Sequence, residues 1–133
     1  MIFKSKINFL IIIYVIIILT GCSNTSQYNS DVKEFKSIYS ETIENLETTD
    51  AFKTIEQLQT DKNKKNIEEL QKLLELIKKD IPKEKEMLYD VLKNQYDDLV
   101  FLKDSYNSFN NLSLDEKRRM GIVLVNIAMN KDN

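Results

Sequence analysis

Apolar residues are distributed in two ways along this chain. From Ile7 to Leu19 they form a run interrupted only by Asn8. From Asp31 onward they return at three- and four-residue steps, the period of one face of a helix, with no strand-like alternation. Val32, Phe35, Tyr39, Thr42 and Leu46 make the first such stripe, widened by Ile38 and Ile43. Ser30 or Asp31 supplies the side-chain oxygen that caps its start. Thr48-Thr49-Asp50 either ends that helix or caps a second piece carrying Ala51, Phe52, Ile55 and Leu58.

Asp61 to Asn66 contains no apolar residue, which predicts a loop or a solvated first turn. Ile67, Leu70, Leu74, Ile77 and Ile81 then step by three and four, with Leu73 beside them. Pro82 lacks an amide hydrogen, so a turn is expected from Asp80 to Lys83. A long helix is predicted from Lys83 to Phe109, because Leu88, Leu92, Gln95, Leu99, Leu102, Tyr106 and Phe109 continue the spacing. Asn110-Asn111 suits its end, and Ser113 with Glu116 forms a capping box for a last helix. Met120 to Met129 is nearly all apolar, so that helix must bury more than one side or present one to a partner. Ile122, Val123, Val125 and Met129 are the candidate interaction face.

Together these elements predict an all-α fold: a small antiparallel bundle, or an elongated helical hairpin, of three to four helices. Sustained spacing of Leu and Ile is also that of a coiled coil, which leaves a homo-oligomer open. Residues 31–133 form the expected helical domain, and the polar stretch 22–30 reads as a tether.

The amino-terminal run has its own logic. Lys4 and Lys6 precede it, and from Ile7 to Gly21 only fifteen residues are uncharged, whereas a spanning helix needs about 20. Positive end, short apolar run and small residues are the layout of a signal peptide, here residues 1–21. The run closes on Leu19-Thr20-Gly21-Cys22, which resembles the lipobox of bacterial lipoproteins at all four positions. The resemblance covers residues 1–22 and implies an address. It implies that cleavage precedes Cys22, that a diacylglycerol is carried on its thiol, and that the chain is held on the outer face of the cytoplasmic membrane. Two acyl chains anchor stably where one is marginal.

Composition then narrows the chemistry. The 133 residues include no His, no Trp, one Cys and two Gly. Histidine-based catalysis, an internal disulfide and glycine-rich phosphate loops are thereby excluded. Without residues 1–21 there remain 17 basic and 21 acidic residues, a net charge of −4, which disfavours nucleic acid as a partner. The carboxylate clusters Glu41/Glu44, Glu68-Glu69, Asp97-Asp98 and Asp115-Glu116 are read as solvated helix faces among lysines, not as catalytic pairs. Asp61 to Asn66 lacks the glycine of a calcium loop and carries three lysines, so no metal is expected there, and no cofactor is expected beyond the lipid. Tyr28, Tyr89 and Tyr96 lie off the main stripes and are read as surface residues or interface anchors. The lysines around Pro82 are read as a solvated turn.

The function expected is that of a non-enzymatic, lipid-anchored module that contacts another protein, of adaptor, immunity or exclusion type. The partner would be an envelope or incoming protein. A helical module that holds a lipid or other small apolar ligand is the alternative.

Overall fold

A computed structural model describes residues 25–132 of the chain. Those residues form five α-helices joined by tight turns, with no strand among them. Helix α1 spans 25–43, α2 Ala51–Gln57, α3 Asp61–Asp80, α4 Glu86–Asp104 and α5 Leu114–Lys131, with single 3-10 turns at Lys83–Lys85 and Phe109–Asn111. The fold is all-α as expected, but with five helices where three to four were anticipated. The signal peptide and lipobox residues Leu19, Thr20, Gly21 and Cys22 lie outside the described residues.

The first correction concerns the tether. Residues 25–30 are helical, continuous with α1, and Tyr28 is buried. Seven of the eight residues from Ser23 to Ser30 are small or polar, which masked the one aromatic that extends the Val32–Phe35–Tyr39 stripe back by a turn. Asp31 therefore sits inside the helix instead of capping it; its buried carboxylate accepts a 2.9 Å hydrogen bond from Gln27 Nε2.

Between α1 and α2 the chain breaks, and side chains hold the break in place. Asp50 caps α2 by accepting from the Lys53 amide at 3.1 Å. The buried Thr54 hydroxyl lies 2.8 Å from the Glu47 carbonyl and 3.0 Å from that of Asp50. The Gln57 amide bonds back twice, accepting from the Glu47 amide at 2.9 Å and donating to the Asn45 carbonyl at 3.0 Å. Backbone groups that a loop would leave unpaired are thus satisfied by α2 itself.

Asp61 to Asn66 forms the solvated first turns of α3, capped by Thr60, whose hydroxyl accepts from the Asn63 amide at 3.3 Å. This helix returns along α1: Asn66 donates to Thr42 Oγ1 at 3.2 Å and Lys62 pairs with Glu41 at 2.9 Å. Pro82 turns the chain where its spacing predicts, and α4 runs back beside α3.

Helix α4 is shorter than the pattern suggests. It ends at Asp104, where the Ser105 hydroxyl donates to the Phe101 carbonyl at 2.7 Å and Ser and Asn residues follow. Tyr106 and Phe109 keep the spacing but leave the helix. They pack instead on Phe52 of α2, with ring centroids 6.1 and 5.2 Å away. Gln59 Nε2 ties the same end of the molecule together by donating to the Lys103 carbonyl at 2.9 Å.

One core runs through all five helices, with Phe35, Ile43, Leu46, Ile55, Leu58, Leu70, Ile77, Leu92, Leu99, Leu102 and Ile127 almost wholly enclosed. The Leu/Ile stripes of α3 and α4 are used within the fold. Tyr89 and Tyr96, read as surface residues, pack against this core. No helix among the described residues is long and apolar enough to cross a membrane.

Candidate functional site

Helix α5 is the element whose surroundings match its sequence least. Its start is built as the residues predict: Glu116 N donates to Ser113 Oγ at 3.2 Å and Ser113 N donates to Glu116 Oε2 at 2.7 Å. Asp115 and Glu116 in the first turn and Lys131 in the last complement the helix dipole.

Its nearly continuous apolar run is divided between two opposite faces. Met120, Val123 and Ile127 point into the core. Ile122, Val125 and Met129 point away from it and are 63%, 58% and 61% exposed. Val123, counted with the candidate face, belongs to the core at 2% exposure. At about 100° per residue, Leu114, Arg118, Gly121, Ile122, Val125, Ala128 and Met129 fall within roughly a third of the helix circumference. A Cβ added at Gly121 would meet nothing within 4 Å. The glycine is therefore not required by packing inside the molecule, although it weakens a helix interior by about 1 kcal/mol relative to alanine.

Polar contacts on the flanks set which way this face points. Asn130 Nδ2 donates to the Tyr39 hydroxyl at 3.0 Å, and Lys131 Nζ donates to the Leu46 carbonyl at 2.7 Å. The Arg119 guanidinium lies 4.2 Å from the centre of the Phe101 ring. Asn126 stands beside the Asp98 carboxylate of α4 and favours its charged form. Held by these ties to α1, α4 and the loop after α1, α5 cannot roll its outer apolar side inward. The exposed residues are held ready for contact, which lowers the ordering entropy that association would otherwise have to overcome.

Asp98 corrects the reading of all the carboxylates as solvated. It is half-buried, and desolvation raises its pKa above the ordinary 3.8; Asn126 and Arg119 oppose this only in part. Burial likewise pushes the Tyr39 phenol up, against the bond from Asn130, with the charge of Asp98 adding to the rise. These groups serve as a polar seam between helices. Among the described residues no cluster of three or more His, Cys, Asp or Glu is arranged to hold a metal ion.

A second feature is an open groove of about 380 Å³ between α1, α4 and the end of α5. Leu88, Val91 and Leu92 supply its apolar wall and Lys36, Gln95 and Asn130 its polar rim. The periodicity of the sequence marks which residues of each helix are apolar, but not that these three helices would leave a cleft.

No protein-family model, curated protein or solved structure matches the chain.

Proposed function

We propose that this protein is a lipid-anchored, non-catalytic interaction module of immunity, exclusion or adaptor type. A diacylglycerol on Cys22 holds it at the outer face of a bacterial cytoplasmic membrane. The observation that carries the reading is the outward face of α5, where Ile122, Val125 and Met129 stand exposed on a helix pinned from both flanks. Apolar side chains of this size gain about 1.5–3 kcal/mol each on full burial, and a helix face gathers them on one side, as a partner surface requires. The resemblance of Leu19-Thr20-Gly21-Cys22 to a lipobox supports the address. Confinement to a thin layer raises the effective concentration toward anything else held there, so a modest contact area suffices.

Crosslinking in intact cells tests both halves, using tagged wild type beside Cys22→Ala and Val125→Glu. Wild type should fractionate with membranes, incorporate labelled fatty acid and capture a protein. Cys22→Ala should lose lipid and membrane association, and Val125→Glu should lose the captured protein while keeping the anchor. A substrate turned over by the purified protein, with the turnover abolished by one carboxylate substitution, would replace this reading with an enzyme.

The groove beside Val91 favours one second reading, a module that holds a small apolar molecule. Native mass spectrometry of the intact protein separates the two: a retained mass lost in Val91→Asp supports the ligand reading, and a bare chain mass opposes it.

A further inference from the structure

The outer face of α5 has the chemistry of a surface that fits itself, and we infer that its occupant is a second copy of this chain, laid antiparallel across a two-fold axis through Val125. The inference rests on the interaction-module reading above and names its partner.

Charge decides the direction. Arg118 lies seven residues before Val125 and Asp132, at the carboxyl end of α5, seven after it; both are exposed. In an antiparallel pair centred on Val125, Arg118 of each copy comes level with Asp132 of the other, at both ends of the seam. A parallel pair would set arginine against arginine and aspartate against aspartate.

Size agrees with charge. Gly121 of each copy comes level with Ala128 and Met129 of the other, and Ile122 with the same two residues. Small residues thus face one another along one side of the seam while Ile122 and Met129 meet along the other. The open space over Gly121 then has a purpose, since it lets two backbones approach closely. A two-fold axis along the membrane normal also places both Cys22 anchors on the same side, as one bilayer demands. From Arg118 to Asp132 the seam is about 21 Å long. A single-helix seam of that length lies at the low end of specific interfaces, so the pair should depend on confinement to the membrane.

Oxidative disulfide trapping in intact membranes tests this on the full chain, with wild type, whose only thiol is Cys22, as background. Val125→Cys should trap an adduct of twice the chain mass. Ile122→Cys and Ala128→Cys should trap each other when expressed on separate tagged copies and trap little alone. Arg118→Asp or Asp132→Arg, each added to Val125→Cys, should lower the yield by roughly threefold or more, because two exposed pairs are reversed at once. The two together should restore it, which a merely misfolded variant would not do. Adding Cys22→Ala should lower the yield as well. If Val125→Cys instead traps a protein of another mass, self-pairing is overturned and the interaction module stands. If it traps nothing, self-pairing is overturned, and the interaction module stands or falls on the crosslinking comparison of wild type with Val125→Glu.

Discussion

Asp98 shows how far one side chain departs from its apparent role. In sequence it is half of an Asp-Asp pair on a helix rich in charge; in the fold it faces Asn126 and Arg119 across the α4–α5 contact. Because desolvation raises its pKa, the folded chain binds that proton more readily than the unfolded one. Its contribution to stability is therefore fully present below about pH 3.8 and is lost as pH rises through the higher folded value. Asp98→Asn should melt at a higher temperature than wild type at pH 7, and the gap should close as the pH is lowered toward 4. Circular dichroism melts across that range check it, and an unchanged gap would mean the carboxylate is not desolvated. Leu99, the next residue, is wholly enclosed. Leu99→Ala should destabilise by about 2–5 kcal/mol through lost burial and the cavity left behind, read from urea unfolding.

Among the helices, the boundaries that local chemistry specifies are those the sequence makes legible. The Ser113–Glu116 box and the Pro82 turn stand where their residues put them. The end of α4 does not, because Tyr106 and Phe109 continue the three-four spacing while their rings are claimed by Phe52, more than fifty residues earlier. The start of α1 was hidden for the opposite reason, a polar run containing a single buried tyrosine. Two substitutions in α5 separate local from intermolecular effects. Ser113→Ala should cost about 1 kcal/mol by removing the cap, measured by denaturant midpoint. Gly121→Ala should stabilise the isolated chain by about 0.5–1 kcal/mol, since nothing stands within 4 Å of the added methyl. In membranes the same substitution should reduce trapping through Val125→Cys, as the methyl enters the seam. Gains in both assays would remove Gly121 from any interface.

For the molecule as a whole, the proposed function rests on where it is held and which face it turns outward. A helical bundle with a single core leaves one helix apolar on both sides, and the candidate anchor lies ahead of that bundle in the chain. Truncating the face without charging it, as Ile122→Ala with Met129→Ala, should leave the unfolding free energy within about 0.5 kcal/mol of wild type, the usual range for surface changes. Capture in cells should nevertheless fall. A large loss of stability in that double variant would show the face to be structural.

Periodicity, caps and the lone proline were enough to establish an all-helical chain, most of its core stripes and the capping box of α5, because these depend on contacts within a few residues. The missing His and the paucity of Gly were enough to exclude whole classes of chemistry, because a group that is absent cannot react. The resemblance at Cys22 is likewise written in four adjacent residues. Which of Ile122, Val123, Val125 and Met129 face outward was decided only when Asn130, Lys131, Arg119 and Asn126 found partners on α1, α4 and the loop between α1 and α2. Those contacts span up to 91 residues of chain, and no local pattern encodes the rotation of one helix about its axis against the others.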